Sequence, residues 1–359
     1  MTINVTKTFL PPLEEYVSYL ERIWDTAWVT NNGPLVKELE HRLTKTLGVP
    51  YLQYVSNGTI ALQLALKVLG IRGEVITTPF SYVATTTAIL WEGCRPVFVD
   101  IHPETFCINP DLIEDAITER TEAILATHVY GYPCDVERIR EIASRHGLRV
   151  IYDAAHAFGV RLNGTSILSY GDLSTLSFHA TKLFHTVEGG AVVSRDITLH
   201  EALGLLKSFG HRGDHYISEG VNGKNSELHA AMGLCALPYI PEIMIARKEI
   251  FAWYDQQLAG LPLTVAQKPT GVEYNYAYYA VIFETPGLRE HVQAALRSEG
   301  VMARRYFWPS LNRLPYVDAP ACEVAESVAE RVLCLPLHSE LPHATVQRIA
   351  GLVRTACSI

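Results

Sequence analysis

The sequence predicts an α/β fold with a mostly parallel central sheet in a large domain, followed by a smaller α+β C-terminal domain. Its 359 residues are 48% hydrophobic, which is enough to bury a deep core. Short β-branched runs alternate with helix-length segments through the first half, as in parallel β-α-β units. From about residue 171 the spacing changes to neighbouring strands and long helices. We therefore expect a large domain over residues 1–245, N-terminal segment included, and a small domain over residues 246–359.

The elements of the first half follow from local patterns in chain order. Apolar residues at every fourth position predict a helix from Pro34 to Leu47, which Gly48 ends. The turn SNGT at residues 56–59 opens a second helix, and DVERIREIASRHG forms a later one. The predicted strands are the segments EVITT, PVFVDI, EAILATHVYG and LRVIYDA.

The second half has a different order of elements. The segments TLSFHA and GGAVVSR predict two strands that are close together in the chain. A helical stretch over residues 226–259 contains Pro238 and Pro241, which we expect to kink or divide it. The strand YYAVIFE and the helices LREHVQAALRSEG and HATVQRIAGLVRTAC complete the small domain.

Composition excludes several classes of function. A net charge of −8 argues against nucleic acid or an anionic membrane as the main partner. The seven cysteines are odd in number and scattered without a CxxC pair, so we expect reduced buried thiols, no disulfide framework and no metal site. The N-terminus lacks the apolar stretch of a signal peptide, and no run approaches a membrane span. A soluble cytoplasmic protein is the expectation.

Candidate ligand residues lie where strands of a parallel sheet end. The SNGT turn offers the free N–H groups of a helix N-terminus to an anion, although the same residues are ordinary helix caps. Asp153 ends an apolar strand and would pair with a cationic ring nitrogen, or else cap the next helix. Lys182 follows the strand SFHA and is a candidate nucleophile for an aldehyde, although most lysines are solvated surface charges.

These parts fit one cofactor when they are taken together. Pyridoxal phosphate needs a lysine for its aldehyde, an acid for its ring nitrogen, an anion cradle and a face against its ring. SNGT, Tyr82 in PFSYVATT, Asp153 and Lys182 supply them in chain order. The chain has no GxGxxG, GxxxxGK[ST], HExxH or GxSxG motif, so nicotinamide, P-loop, zinc-protease and hydrolase functions lack support.

The ordered motifs resemble the DegT/DnrJ/EryC1/StrS group of nucleotide-sugar aminotransferases, and the resemblance covers nearly the whole chain. It implies the type I fold of pyridoxal-phosphate enzymes, as in aspartate aminotransferase. The segments that carry it are WVTNNGPLVKELE, VSNGTIALQLAL, TTPFSYVATTTAI, PVFVDI, THVYGYPCD, IYDAAHAFG, LSFHATK, EGGAVV, GVNGKNSELHAAMG, RRYFWPSL and LCLPLH.

The resemblance also implies roles for individual residues. Lys182 would bond covalently to the cofactor and shuttle the proton, and Asp153 would hold the pyridinium. Two positions depart from the family: His156 stands where Gln is frequent and would contact the ring hydroxyl, and Lys224 stands where Arg is common. The remaining cofactor contacts would be Tyr82 on the ring, Gly58, Thr59 and Ser177 on the phosphate, and Asn222 on the phosphate of the other subunit's cofactor in a homodimer.

The likeness is greatest to enzymes that aminate C4 of a dTDP-4-keto-6-deoxyglucose with L-glutamate as donor, through TNNGP, YDAAHAFG and SFHATK. An enzyme for a 3-keto sugar and a non-catalytic sugar-nucleotide-binding protein are the alternatives. Arg304, Tyr306 and Trp308 would contact the substrate, unless this segment is core with solvated arginines. Predicted substrate contacts also include Lys224 and, in TNNGP, Thr30 and Asn31. His179 and His185 are expected to be packing or hydrogen-bonding residues near Lys182 rather than catalysts.

Overall fold

A seven-stranded sheet forms the centre of the large unit. A computed structural model describes residues 2–358, so residues 1 and 359 of the predicted domains lie outside the described part. The strands are β1 Ile3–Asn4, β2 Tyr51–Val55, β3 Glu74–Thr77, β4 Arg95–Phe98, β5 Thr121–Thr127, β6 Arg149–Asp153, β7 Arg161–Leu162, β8 Thr165–Ser166, β9 Leu173–Ser177, β10 Gly190–Ser194, β11 His211–Arg212, β12 His215–Tyr216, β13 Leu263–Val265, β14 Val272–Glu273, β15 Tyr279–Phe283, β16 Val301–Met302 and β17 Val332–Leu335.

The strand order of the central sheet is β2-β10-β9-β6-β5-β3-β4. Strands β3, β4, β5, β6 and β9 pair in parallel, and β10 runs antiparallel to both of its neighbours. The prediction of a mostly parallel α/β sheet is therefore confirmed. The carboxyl ends of β5, β6 and β9 meet at one edge, which is where such sheets place ligands.

Helices cover both faces of this sheet. They are α1 Leu13–Thr26, α2 Pro34–Leu47, α3 Gly58–Val68, α4 Val83–Trp91, α5 Val136–His146, α6 Ile197–Leu206, α7 Glu227–Ala236, α8 Ile240–Leu258, α9 Pro286–Ser298, α10 Glu323–Arg331 and α11 His343–Cys357. The core on one face includes residues of α2, α5 and α7, and the core on the other includes residues of α3, α4 and α6. Because helices cover both faces, nearly every residue of the central strands β3, β5, β6 and β9 is buried, the polar ones included.

Two local predictions about helices are confirmed. Helix α2 has the predicted bounds, and Gly48 ends it in the left-handed conformation at φ 67°. A 3₁₀ turn at Leu237–Tyr239, which contains Pro238, divides the long stretch into α7 and α8. The expectation that no run approaches a membrane span needs a correction. Within residues 2–358, Glu227–Leu258 is the one helical stretch long and apolar enough to cross a membrane, and 56% of its most apolar window is buried in this fold.

The C-terminal part builds a second, smaller core. Strand β15 pairs with β13 and β17, and helices α8, α9 and α11 pack with this sheet. The predicted boundary between residues 245 and 246 falls inside α8 and stays a prediction. The sequence predicts that the N-terminal segment belongs to the large domain, yet β1 pairs in parallel with β16 of the C-terminal part. This pairing depends on backbone hydrogen bonds between β1 and β16, and the two residues of β1 carry no sequence pattern that could predict it.

The cysteines follow the expectation in most respects. Six of the seven thiols are buried, Cys357 is half-buried, and none of them forms a disulfide in the described part of the chain. Burial in apolar surroundings makes these thiols structural rather than reactive.

Candidate active site

One large cavity lies at the carboxyl edge of the central sheet. Its volume is about 700 Å³, and it is bounded by the ends of β5, β6 and β9 and by the N-termini of α3 and α4. Nine of the predicted site residues line it: Gly58, Thr59, Tyr82, Asp153, His156, Ser177, Lys182, Arg304 and Tyr306.

Lys182 lies in the loop between β9 and β10. Its backbone N–H donates to the carbonyl of His179 at 2.9 Å, and its half-buried side chain lines the cavity. Burial lowers the pKa of the Lys182 amine to about 8, while the negative charge of Asp153 raises it in part. The alternative of a solvated surface lysine is therefore wrong. An amine with a pKa near 8 is partly neutral at physiological pH and can act as a nucleophile.

Asp153 ends β6 and is 5% exposed. One carboxylate oxygen accepts a hydrogen bond from the Thr85 hydroxyl at 2.8 Å, and the other accepts from the backbone N–H of Ala155 at 3.1 Å. Burial raises the pKa of this carboxyl, whereas these two bonds and the charge of Lys182 lower it. The next α-helix begins only at Ile197, so the alternative of a helix cap is wrong.

A chain of hydroxyl groups orients Thr85. Thr85 uses its proton on Asp153, so the Ser81 hydroxyl must donate to the Thr85 oxygen across their 2.8 Å contact. Thr127 donates in turn to Ser81 at 3.1 Å. All three hydroxyl residues are buried. The carboxylate of Asp153 is thus held by a fully directed network rather than by one contact.

The SNGT turn caps a helix and also borders the cavity, and its role in anion binding stays a prediction. Asn57 caps helix α3, because its side-chain oxygen accepts from the N–H of Ile60 at 2.9 Å. Gly58 and Thr59 also line the cavity. A Cβ atom on Gly58 would lie 2.9 Å from the Cβ of Ser177, so only glycine lets the helix start approach β9 this closely.

The C-terminal part supplies one wall of the cavity. Arg304 is exposed, and its backbone bridges to Cys334 of β17. Tyr306 and the buried Phe307 line the cavity beside it. Trp308 is 55% exposed and lies outside the lining, with the Arg305 guanidinium 4.2 Å from its ring centroid. The alternative that this segment belongs to the core therefore applies to Phe307, which is buried, and not to Trp308, which is exposed.

The family model described as the DegT/DnrJ/EryC1/StrS aminotransferase family matches residues 13–354. The protein belongs to this aminotransferase family.

Named relatives of this aminotransferase resemble it along nearly their whole length. It is 43% identical to a dTDP-4-amino-4,6-dideoxy-D-glucose transaminase of Shigella dysenteriae and 40% identical to one of Escherichia coli, with 98% of each chain covered in both cases. Among solved structures, DesI in the presence of its TDP-sugar product matches with a TM-score of 0.95 at 36% identity, covering 99% of this chain and 93% of that one.

Besides Trp308, four predicted site residues of the aminotransferase lie outside the lining of the cavity. Asn222 is exposed and accepts a hydrogen bond from Lys224 at 2.9 Å. Thr30 and Asn31 lie in an exposed loop before α2, where the carbonyl of Thr30 accepts from Trp28. Within residues 2–358 these residues do not line the cavity that contains Lys182, so their assigned contacts stay predictions.

Some site residues were missed by the sequence. Thr85 is one helical turn after Tyr82, so its presence on the same face of α4 could have been found. Tyr278 lines the cavity from the C-terminal part and carries no local signal. The Nε2–H of His185 donates a hydrogen bond to the carbonyl oxygen of Phe9 at 2.6 Å. His179 lines the cavity, with its Nε2 atom 3.5 Å from a carboxylate oxygen of Glu188.

Proposed function

We propose that this aminotransferase uses pyridoxal 5'-phosphate to convert dTDP-4-keto-6-deoxy-D-glucose into dTDP-4-amino-4,6-dideoxy-D-glucose, with L-glutamate as the amino donor. The observation that carries the proposal is the meeting of Lys182 and Asp153 in one cavity. The near full-length likeness to transaminases of this 4-amino sugar supports the choice of substrate.

The residues of the cavity fit the cofactor. Lys182 offers an amine for the aldehyde, and Asp153 offers a fixed acceptor for a ring N–H. Gly58 and Thr59 stand at the start of α3 and line the cavity, so their N–H groups would bind the phosphate. The Nδ1 atom of His156 is buried without a hydrogen-bond partner among residues 2–358, so this wall of the cavity has a polar atom that a ligand could bond.

Asp153 and Lys182 would divide the chemical work. When bound, pyridoxal phosphate supplies an electron sink for negative charge that develops on the substrate carbon. Asp153 keeps a proton on the ring nitrogen, an electrostatic role that its network of hydroxyl groups makes possible. Lys182, with a pKa of about 8, takes a proton from the donor carbon and later delivers one to the sugar carbon.

Substrate binding is assigned to the walls of the cavity. Tyr82 is 58% exposed at the start of α4 and would cover one face of the cofactor ring. Arg304 offers a cation for the pyrophosphate of the nucleotide sugar, and Tyr306 offers an aromatic face for sugar or base. Lys224, Trp308, Thr30 and Asn31 complete the proposed substrate contacts.

A homodimer belongs to the same proposal. Asn222 would reach the phosphate of the cofactor in the other subunit, which would make each site shared. Large apolar side chains on the surface support an interface, among them Trp24, Tyr216 and Ile217 at 57% exposure or more. We further propose a cytoplasmic enzyme that binds neither nucleic acid nor membrane.

One experiment tests the activity and its alternatives. The purified protein is loaded with pyridoxal phosphate, and its absorbance is followed on addition of L-glutamate and then of dTDP- and UDP-linked 3-keto and 4-keto sugars. We expect glutamate to convert the cofactor to its amino form and the dTDP-4-keto sugar to restore it, with the product identified by mass and NMR. Turnover of only a 3-keto sugar would select that alternative, and a bound cofactor that glutamate leaves unchanged would select a binding protein. Lys182→Ala is the control that loses the covalently bound absorbance band.

A further inference from the structure

The ring of His156 is enclosed by aromatic side chains from the C-terminal part of the chain. The Phe307 ring lies parallel to the imidazole, at 1° between planes and 5.5 Å between centroids. The Tyr278 ring meets it edge-on with centroids 4.8 Å apart. His156 is 7% exposed and lines the cavity. These two neighbours restrict rotation of the imidazole to a narrow range.

Asn275 fixes the backbone beneath this ring. Its side-chain amide is completely buried and donates to the carbonyl of His156 at 2.8 Å and to the carbonyl of Phe158 at 3.0 Å. Its own side-chain oxygen accepts from the N–H of Ala277 at 3.2 Å. One amide therefore joins the segment after β6 to the segment that carries Tyr278.

Neighbouring groups hold the Asn275 segment in place. The buried guanidinium of Arg247 donates to the carbonyls of Tyr276 and Ala277 at 2.9 and 2.6 Å. Gly131 packs so closely that a Cβ there would lie 2.8 Å from both the Asn275 side-chain oxygen and the His156 carbonyl. The residues around Asn275 thus have little freedom to compensate for its loss.

Burial favours the neutral form of the enclosed imidazole. Burial, and secondarily the charge of Lys182, lowers the pKa of His156 well below its ordinary value. A neutral imidazole has one N–H donor and one acceptor nitrogen, so its orientation decides which of them faces the cavity. The Nδ1 atom of His156 has no hydrogen-bond partner within residues 2–358, so no bond at that atom fixes the orientation of the ring. Packing and the Asn275 clamp must therefore supply the orientation.

We propose that Asn275 is a positioning residue for the cofactor, which acts by holding His156 so that its imidazole N–H faces the ring hydroxyl oxygen of pyridoxal phosphate. This inference rests on the proposed function. A hydrogen bond to that oxygen favours its deprotonated form. Loss of the bond should raise the pH midpoint at which the absorbance of the bound cofactor changes.

A double-mutant cycle on the loaded protein separates this role from a structural one. The variants are Asn275→Ala, His156→Ala and the double variant, and the readouts are the pH midpoint of the cofactor absorbance and the cofactor dissociation constant. Asn312→Ala is the matched control, because Asn312 is an equally buried amide that donates to Pro320 and Glu326 away from His156. Stability is measured by urea unfolding of every variant.

The expected midpoint rises by about half a unit to one unit in His156→Ala, the range set by the net value of one hydrogen bond. Asn275→Ala should raise it by less, and should add nothing in the His156→Ala background. Asn312→Ala should lower stability without moving the midpoint. An unmoved midpoint in Asn275→Ala, or one that moves equally with and without His156, would overturn the inference.

Two further results keep the outcomes distinct. If Asn275→Ala does not fold, Phe307→Leu removes the stacked face by another route and should raise the midpoint in the same His156-dependent way. Failure of Phe307→Leu to do so would also overturn the inference. A wild-type protein that binds pyridoxal phosphate without a visible absorbance band contradicts the proposed function, whereas a normal wild-type band with unmoved variants contradicts only the role of Asn275.

Discussion

At the scale of single residues, the site contains two ionisable side chains, Lys182 and Asp153, in surroundings of low dielectric constant. Lys182 has its pKa lowered by burial and raised in part by Asp153. Asp153 has its own pKa raised by burial and lowered by Thr85, Ala155 and Lys182. The pair is therefore coupled, and a change in either residue should be visible in the titration of the other.

The first prediction concerns Asp153→Asn. Removal of the negative charge destabilises the Lys182 ammonium, so the pKa of Lys182 should fall below its value of about 8. The measurement is the rate at which the cofactor-free protein reacts with a small aldehyde as a function of pH, since only the neutral amine reacts. The exposed Asp318→Asn variant is the control. A midpoint that rises or stays in place in Asp153→Asn would contradict the coupling.

At the scale of elements, the site depends on where two helices begin. Helix α3 begins at Gly58 against Ser177 of β9. Helix α2 begins beside Glu227, whose buried carboxylate accepts from the N–H groups of Leu35 and Val36 at 2.7 and 3.0 Å. The first N–H groups of a helix have no intrahelical partner. The start of α3 is therefore suited to an anion, whereas the start of α2 depends on the carboxylate of Glu227.

Gly58→Ala tests the first helix start. The added Cβ would lie 2.9 Å from the Cβ of Ser177, so helix α3 must move away from β9. We expect weaker binding of pyridoxal phosphate and of inorganic phosphate, measured by equilibrium dialysis. The control is Gly351→Ala, because a Cβ on that glycine of α11 meets nothing within 4 Å. Equal affinity in wild type and Gly58→Ala would count against a phosphate site here.

Glu227→Ala tests the second helix start. Two buried N–H groups lose their acceptor, and each costs about 1–3 kcal/mol. We expect a lower urea midpoint with an unchanged slope, which indicates lost stability rather than a changed unfolded state. Glu323→Ala, on the exposed first turn of α10, should unfold like the wild type. If the two variants were equally stable, the capping role of Glu227 would be refuted.

At the scale of the whole molecule, the surface carries features that one subunit leaves uncovered. Strands β11 and β12 form a separate two-stranded ribbon, and Tyr216 on it is 82% exposed. Asn222 and Lys224 follow this ribbon and lie away from the cavity of their own subunit. The proposed homodimer would give both features a partner.

Tyr216→Ser tests the dimer. A tyrosine buried in the proposed interface would contribute a large contact area. Loss of the Tyr216 ring should therefore raise the monomer–dimer dissociation constant at least about tenfold. Sedimentation equilibrium measures this constant directly. Tyr316→Ser is the matched control, since Tyr316 is also exposed, at 57%, but lies far along the chain from the ribbon. An unchanged dissociation constant in Tyr216→Ser would place the interface elsewhere.

Local sequence patterns predict some elements of the whole molecule and not others. Helix α2, the division between α7 and α8, and the buried strands β3, β5 and β6 were predictable because each follows from periodicity, turn residues or proline. The antiparallel direction of β10 and the pairing of β1 with β16 were not, because they depend on hydrogen bonds between distant segments. Helix α1 was also missed, since Pro12 precedes it without a side-chain cap.

The sequence by itself determined the chemical parts of this protein. The identities and chain order of Gly58, Tyr82, Asp153 and Lys182 indicate one cofactor, because few cofactors need that combination, and the resemblance of the ordered motifs along the chain indicates the family. Local composition also determined which elements carry them.

Only the tertiary structure decided how those parts are held. Thr85 bonds Asp153 from 68 residues away, and Asn275 bonds His156 from 119 residues away. The structure also separated Phe307, which packs into the wall, from Trp308, which faces outward. Such contacts depend on the order of strands and the packing of distant segments, and neither periodicity nor spacing along the chain encodes them.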